Sequence, residues 1–375
     1  MIREIHNMKN VAVSYEKDGK LIVGVVKKVP LFYLEPKDRI PKILENGMET
    51  DVIVVPRIRS SMYCNQTGDG CGIHAIRHRP LLGGISFCPE DSGAGTLGVF
   101  VKDNFDNTIV ALTCNHVLGP TLGEESLLPD VYVSDLKDVE ILQPSPLDGG
   151  SSPNDLVAKG KNTVGIVFGP DGINTIDAAT ATITNINLST PGVESLVRGG
   201  LFPFAEKYEY STGNTVCKVG RTTGHSTGEI LLTTVNINVL FGPNTPNNTA
   251  YFENVIMITS TERFSAPGDS GSAVFCKIGG QWKIIGILFA GDDLGLNTFV
   301  CHISDIATLL DLSAWEGEIG ISASSNNVII VNGLCYYDFE EEIAGDISHT
   351  PEQSFTDCAE CLPNESKKTL FGNIL

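Results

Sequence analysis

A serine enclosed by glycines is the part of this sequence with the clearest capacity for chemistry. Residues 268–272 read GDSGS, and small residues of this kind permit a tight turn. Such a turn can expose the hydroxyl of Ser270 while the backbone N–H groups of Gly268 and Ser270 point into one small space. Acyl transfer requires such donors, because negative charge develops on the substrate oxygen in the transition state. The segment therefore predicts a nucleophile, Ser270, beside a pair of oxyanion-binding N–H groups.

A serine hydroxyl attacks a peptide bond only when a general base lies within hydrogen-bond reach. The chain has seven histidines, of which His116 follows a strand-like apolar stretch at 111–113. That stretch would hold the imidazole ring firmly at the edge of a barrel. His225 and His302 are weaker candidates, so we expect His116 to be the base.

The third group of such a site is a carboxylate that orients the histidine. Asp177 lies in residues 174–181 (NTIDAATA), a strand-like and otherwise apolar run. Burying a charge there is costly unless it has a partner, and a histidine in this role provides one. Asp155 is the alternative, but it follows a loop and is expected to be more exposed.

Three segments resemble, in chain order, those that carry the triad of trypsin-like serine peptidases: residues 112–117 (LTCNHV), 176–179 (IDAA) and 268–272 (GDSGS). Residues 218–224 (KVGRTTG) are similar to an element of the bacterial branch of that class. The plant narrow-leaf-type serine proteases have a similar element and a comparable N-terminal segment. The resemblance covers residues 80–312 and implies a chymotrypsin-like, all-β core. Its two antiparallel six-stranded β-barrels would hold the active site in the cleft between them.

The resemblance implies a serine endopeptidase that hydrolyses a polypeptide substrate through an acyl-enzyme intermediate. Phe289, Ala290 and Gly291 are expected to line the substrate groove and to pair with an extended peptide as a strand does. His302 could favour an acidic substrate side chain, although a packed histidine is the plainer interpretation. No cofactor and no catalytic metal are expected. The alternative is a catalytically silent barrel protein, a structural or binding component of a larger assembly such as one related to a phage.

Composition limits the partners of this chain. At 375 residues it is long enough for two or three domains, with the hydrophobic content (42%) and charged content (19%) of a packed globular protein. A net charge of −19 opposes binding to nucleic acid or to an anionic membrane surface. No apolar run is long enough to span a bilayer. We therefore expect neither nucleic acid nor membrane as a partner, and a homo-oligomer is left open.

The N-terminus lacks the basic start and apolar core of a signal peptide, which predicts a cytoplasmic protein in a reducing compartment. The ten cysteines are then expected to be mainly free thiols. Cys114, two residues before His116, suggests redox sensitivity, but a small buried hydrophobe is the plainer interpretation. Whether Cys335, Cys358 and Cys361 bind a metal is left open, because a tetrahedral site needs a fourth ligand.

Composition and the pattern of strands and turns divide the chain into three parts. Residues 1–60 predict a small α/β unit, either a regulatory module that covers the cleft until it is displaced or a plain packing extension. Residues 61–320 predict the peptidase domain, in which short strands alternate with turns and helices are few. Residues 321–375 predict a short appendage that contains cysteines.

Individual elements follow from local patterns. A hairpin is expected at residues 97–113, and a helix at 304–310 with Ser304 as its N-cap. Further strands are expected at 11–15, 21–26, 51–55, 227–233, 282–289 and 328–331.

Overall fold

The computed structural model describes residues 2–8, 10–60, 72–90, 92–119, 133–136, 139–169, 171–184, 189–193, 197–198, 202–241, 248–315, 328–331 and 334–337. Strands dominate these residues, and the helices among them are short. None of those helices has the length and apolar character needed to cross a membrane.

The N-terminal residues form one helix and a small group of strands: α1 (Ile2–His6), β1 (Val11–Lys17), β2 (Lys20–Val25), β3 (Glu49–Val54) and β4 (Ile58–Ser60). β1 and β2 form an antiparallel hairpin across Asp18 and Gly19, whose φ angles are 51° and 74°. Two positive φ angles in a two-residue loop match the right-handed twist of the flanking strands. β3 pairs in parallel with β2, after two 3₁₀ turns at Leu31–Tyr33 and Pro36–Asp38.

The first β-rich half follows: β5 (Leu81–Gly83), β6 (Ile85–Ser86), β7 (Cys88–Pro89), β8 (Thr96–Leu97), β9 (Val99–Asp103), β10 (Ile109–Thr113), α2 (Asn115–Leu118), β11 (Val133–Asp135), β12 (Glu140–Leu142), β13 (Leu156–Val164) and β14 (Ala179–Ile183). Six of these strands pair antiparallel in the order β9–β10–β14–β13–β12–β7. The predicted hairpin is β9–β10, with Val101 opposite Val110.

Two short strands, β15 (Ser189–Val193) and β16 (Val197–Arg198), precede the second half. The second half is a closed barrel of six strands: β17 (Thr215–Gly220), β18 (Gly224–Leu240), β19 (Thr249–Thr259), β20 (Ala273–Ile278), β21 (Gln281–Asp292) and β22 (Asn297–His302). Antiparallel pairing runs β17–β20–β21–β22–β19–β18, and β18 pairs back with β17. Six strands therefore close on themselves. The predicted all-β core is confirmed: the six strands of the second half close into a barrel, and six strands of the first half form one antiparallel sheet.

Two connections tie the remaining elements to these halves. β1 pairs antiparallel with β18, so the N-terminal strands extend the sheet of the second barrel. After β22 come α3 (Ile303–Leu310), β23 (Leu312–Ala314), β24 (Val328–Val331) and β25 (Leu334–Tyr337). β23 pairs with β9, which returns the chain to the first half.

The expected helix near residue 304 is confirmed, but its expected cap is wrong. The cap position belongs to His302, and no side chain bonds to the first turn. The hydroxyl of Ser304 is buried and has no hydrogen-bond partner among the described residues. The helix starts directly at the end of β22, so Ser304 already lies inside its first turn.

One cluster of buried apolar side chains extends through both halves. Its aromatic part includes Phe241, Phe252 and Phe289, with ring centroids 6.2 Å apart for the first pair and 4.7 Å for the second. The edge of this cluster meets the ring of His116, 5.7 Å from Phe241. The imidazole ring of His116, the predicted base, therefore packs against this cluster.

Candidate active site

Strand pairing brings two of the predicted site residues together. β10 and β14 are antiparallel, with Thr113 opposite Ala179. His116 lies three residues after the end of β10, and Asp177 lies two residues before the start of β14. Because the end of one antiparallel strand lies beside the start of its partner, the two side chains meet at the same edge of the sheet.

His116 and Asp177 form a short hydrogen bond, with 2.5 Å between Nδ1 and Oδ2. The other carboxylate oxygen, Oδ1, accepts the backbone N–H of His116 at 3.1 Å. Both side chains are fully buried. Since a carboxylate only accepts, Nδ1 carries the ring proton, and Nε2 is left as the basic nitrogen. Nε2 is buried and has no hydrogen-bond partner in the described part of the chain.

Ser270 lies on a turn that glycines make possible. Gly268 and Gly271 have φ angles of 97° and 94°, which residues with a Cβ rarely adopt. A Cβ on Gly268 would also lie 2.4 Å from the hydroxyl oxygen of Thr222. Within the described residues, the backbone N–H groups of Gly268 and Ser270 donate to no acceptor. These are the two donors that the sequence predicts for an oxyanion.

The hydroxyl of Ser270 is buried and donates to the carbonyl oxygen of Phe289 across 3.5 Å. No hydrogen bond joins it to His116 among the described contacts, so the structure brings His116 and Asp177 together and leaves Ser270 oriented toward β21. That the three residues act together stays a prediction.

One carbonyl links the nucleophile turn to the histidine segment. The carbonyl oxygen of Leu288 accepts the N–H of Gly271 at 2.8 Å and the thiol of Cys114 at 3.1 Å. Burial raises the pKa of Cys114 well above its usual value, with the Asp177 carboxylate adding to the effect. The thiol is therefore protonated and acts as a buried donor, which supports the interpretation as a small structural side chain.

Asp269, directly before Ser270, organises the turn from its other side. Its carboxylate accepts the N–H groups of Thr222 (2.8 Å), Thr223 (3.1 Å) and Ala266 (2.9 Å). The ammonium of Lys218 lies 3.2 Å from the same carboxylate. Sequence reasoning missed this contact, although a lysine inside the apolar strand β17 is a signal that could have pointed to a buried partner.

A second buried ion pair joins the two halves. The Arg221 guanidinium binds both carboxylate oxygens of Asp148, with Nε 2.9 Å from Oδ2. The hydroxyls of Ser86 and Ser145 donate to that carboxylate at 2.6 Å and 3.0 Å. The backbone N–H of Arg221 donates to the hydroxyl of Thr96 at 3.0 Å. This pair fixes the loop after β12 against the loop after β17.

Only one group among the described residues has the spacing of metal ligands, formed by Cys114, His116 and Asp177 within 4.8 Å. Its atoms already bond to one another or to the backbone, since Nδ1 faces Oδ2 and the protonated thiol faces Leu288. The group is thus better described as a hydrogen-bonded cluster. The side chains of Cys335, Cys358 and Cys361 lie outside the described residues. The cysteines whose side chains are described are buried and form no disulfide with one another: Cys88, Cys114, Cys217, Cys276 and Cys301.

The predicted substrate-binding residues Phe289, Ala290 and Gly291 form the end of β21 and are buried. Ala290 and Gly291 pair with Ser60 and Arg59 of β4. The sequence suggested that the N-terminal part covers the cleft, but it did not indicate which residues make the contact. Their role in binding a substrate stays a prediction.

The weaker sequence candidates lie elsewhere. Asp155 pairs with Arg77, at 3.1 Å. His302 is buried and bonds through Nδ1 to the hydroxyl of Tyr210 at 2.5 Å, as a packed histidine does. Burial lowers the pKa of His225 to about 4.

Comparison with known proteins gives distant likenesses. No protein-family model matches the chain. The rice (Oryza sativa subsp. japonica) protein NARROW LEAF 1 is 24% identical over 319 residues, which cover 72% of this chain and 48% of the rice protein. The chain thus spans about half the length of that relative.

Three solved structures are also similar. Thermobifida fusca Protease A is 19% identical with a TM-score of 0.40, over 63% of this chain and 98% of that one. A glutamic acid-specific serine protease gives 16% and 0.41, over 63% and 100%. Cellulomonas bogoriensis chymotrypsin gives 17% and 0.39, over 63% and 98%. TM-scores of this size do not assign a fold by themselves, so the all-β class rests on the strand pairings above.

Proposed function

We propose that this chain is a serine endopeptidase in which Ser270 is the nucleophile, His116 the general base and Asp177 the residue that orients the base. One observation carries the proposal. The buried bond between His116 Nδ1 and Asp177 Oδ2, 2.5 Å long, leaves Nε2 basic and without a partner. An imidazole whose Nδ1 is held by a buried carboxylate, and whose Nε2 has no partner among the described residues, is arranged as a proton acceptor, because the carboxylate stabilises the charge that the ring gains.

The proposed reaction starts with a rotation about χ1 of Ser270. The rotation moves its hydroxyl from the carbonyl of Phe289 to Nε2 of His116, from one staggered rotamer to another. His116 takes the hydroxyl proton as the serine oxygen attacks the scissile carbonyl carbon. The carboxylate of Asp177 stabilises the imidazolium that forms.

Charge then develops on the former carbonyl oxygen, and the N–H groups of Gly268 and Ser270 bind it. Donors held in place before the reaction cost no reorganisation in the transition state, and each one is worth about 10²–10³ in rate. His116 returns the proton to the leaving amine as the peptide bond breaks. Water then hydrolyses the acyl-enzyme by the same route in reverse.

A polypeptide is the proposed substrate, because the end of β21 next to Ser270 already pairs with an extended strand, β4, and the same backbone groups can pair with an extended peptide in its place. Strand addition of this kind takes its affinity from main-chain hydrogen bonds. The proposed peptidase domain is residues 61–320, with residues 1–60 before it and the appendage 321–375 after it.

The alternative of a catalytically silent barrel is not favoured. A structural barrel needs neither a buried histidine–carboxylate pair nor a glycine turn with two free N–H groups beside it. Each of these features costs stability, and a hydrophobic replacement would avoid that cost.

Labelling with a fluorophosphonate tests the proposal, because this reagent reacts only with an activated serine. We expect a single adduct on Ser270 by mass spectrometry, and loss of labelling in Ser270→Ala and in His116→Ala. Ser211→Ala, a change at an exposed serine, is the matched control and should label as the wild type does. Absence of an adduct on every folded form of the protein would instead support the silent barrel.

A further inference from the structure

The edge proposed for substrate binding is already paired with a segment of the same chain. β4 lies antiparallel to the end of β21, with Ile58 opposite Asp292, Arg59 opposite Gly291 and Ser60 opposite Ala290. This is the geometry in which an extended peptide adds to the edge of a sheet. β4 therefore takes the place that a substrate strand would need.

The direction of β4 strengthens this relation to the site. Because the two strands are antiparallel, β4 runs from Asp292 back toward Ala290. Ala290 follows Phe289, whose carbonyl oxygen lies 3.5 Å from the hydroxyl of Ser270. The carboxyl end of β4 thus approaches the nucleophile, as the acyl part of a bound peptide would.

β4 is held by pairing with β21 on one side and with β18 on the other, and by its own side chains. Ile58 is buried at 4% exposure and belongs to the core cluster. Arg59 forms an ion pair with Asp293, 3.2 Å between Nε and Oδ1, but both side chains are largely exposed, and such pairs contribute little. On its other side, Arg59 pairs with Leu240 of β18. β4 has only three residues, so a longer extended peptide could form more main-chain hydrogen bonds with the end of β21 than β4 does.

The proposed catalytic groups are buried in this structure. The side chains of His116 and Asp177 have no exposed surface, and Ser270 is fully buried. An extended peptide cannot pair with Ala290 and Gly291 while β4 occupies them, so this edge must be vacated before such a peptide binds.

We propose that Ile58–Ser60 is a built-in competitor that occupies the substrate edge of β21 and holds the enzyme inactive until it is displaced. This inference rests on the proposed function, since it concerns regulation of the same site. It assigns the regulatory role to three residues of the N-terminal part, and it states the mode of inhibition as competition between two extended strands.

Two phosphonate probes test the competition on the full chain. One is a small fluorophosphonate, which reports an activated serine. The other is a peptidyl phosphonate with the sequence Ile-Arg-Ser, which must pair with the edge before it reacts. Labelling rates are compared for the wild type, Arg59→Asp and Arg59→Pro. The first variant places like charges beside Asp293, and the second removes a backbone donor from the strand.

We expect Arg59→Pro to react with the peptidyl probe about tenfold faster than the wild type, the factor that loss of one or two hydrogen bonds gives. Arg59→Asp should also react faster, but by a smaller factor, because the ion pair that it replaces is exposed. A free peptide with the sequence of residues 56–60 should slow this labelling again, and a scrambled peptide should not. Lys28→Asp changes the charge equally at an exposed position outside the strand, and should match the wild type. Circular dichroism and Tm confirm that each variant is folded.

Two results would overturn the inference in distinguishable ways. If the small probe labels Ser270 while both Arg59 variants react with the peptidyl probe at the wild-type rate, β4 is a permanent strand and the proposed function stands. If no folded form reacts with either probe, the proposed function itself fails, and the inference fails with it.

Discussion

Lys218 and Asp269 form an ion pair whose two side chains have no exposed surface, with 3.2 Å between Nζ and Oδ2. Nζ also donates to the hydroxyl of Thr223 and to the carbonyl oxygen of Gly224. Burial lowers the pKa of Lys218, and the Asp269 carboxylate opposes that effect. Lys218 thus holds Asp269, the residue before the proposed nucleophile, in place. The shape of the turn at residues 268–271 therefore depends on a charged side chain of β17.

Replacing Lys218 by methionine should strongly destabilise the protein. The change leaves the Asp269 carboxylate buried without its counter-ion, which costs about 3–5 kcal/mol of unfolding free energy. Urea unfolding at pH 7 measures the loss. Lys218→Met combined with Asp269→Asn should recover part of it, because no charge then stays unpaired. Lys20→Met removes an exposed pair with Glu49 and should have little effect, and an equal loss in that variant would contradict the argument.

Asp177→Asn should preserve the fold and remove most of the activity. The amide has nearly the shape of the carboxylate, but it can donate to Nδ1 and thereby stabilise the wrong tautomer of His116. The expected fall in the rate of labelling of Ser270 is about 10⁴, the effect of this change in the well-studied triads. Stopped-flow labelling and Tm are the two measurements. A variant with unchanged labelling would show that Asp177 has only a structural role.

Gly268→Ala should lower the rate at which Ser270 is labelled, and by more than the accompanying loss of folding stability accounts for. The new Cβ would lie 2.4 Å from the hydroxyl oxygen of Thr222, at a φ of 97°, so the turn and its N–H donors must move. Loss of one oxyanion donor lowers the rate about 10²–10³-fold. Gly213→Ala is the matched control, since Gly213 has a φ of 88° and nothing within 4 Å of a Cβ. That control carries the same backbone strain and should label normally.

Stability should decrease as the pH falls below 6.5. Burial lowers the pKa of His6 to about 3 and that of His302 to about 4, from the usual 6.5. Both folded values lie below the unfolded value, so the unfolded chain binds more protons in between. The stabilising contribution is complete above pH 6.5 and is lost as the pH falls toward the folded values.

Each of these two histidines should lower the free energy of unfolding by about 2 kcal/mol at pH 5 relative to pH 7. Urea unfolding of His6→Gln at the two pH values gives the test. The difference between pH 7 and pH 5 should be about 2 kcal/mol smaller than in the wild type. An unchanged difference would mean that His6 is protonated in the folded protein.

Local patterns in the sequence predicted the elements that build the site. Two apolar runs on either side of Asp106 and Asn107 predicted the β9–β10 hairpin, and Asn107 has a φ of 62°. An aspartate in an apolar run predicted that Asp177 needs a buried partner, and it contacts His116. Both signals work because a turn between two apolar runs and a charge in an apolar run are properties of a few neighbouring residues.

Contacts between distant parts of the chain were not predictable in the same way. β4 has three residues, and nothing in its composition indicates that its partner is β21, more than two hundred residues away. The absent cap at Ser304 has a related reason, since where α3 begins depends on where β22 ends. Such features are decided by the packing of whole elements, which a local pattern does not contain.

The pair of Arg221 and Asp148 has a consequence for how the molecule comes apart. Each residue belongs to a different half, and both are nearly inaccessible, with side chains 1% and 6% exposed. If either half unfolded alone, it would leave the other with a buried charge and no counter-ion. The two halves are thereby coupled into one cooperative unit, whose melting is expected as a single calorimetric transition although the chain is long enough for several.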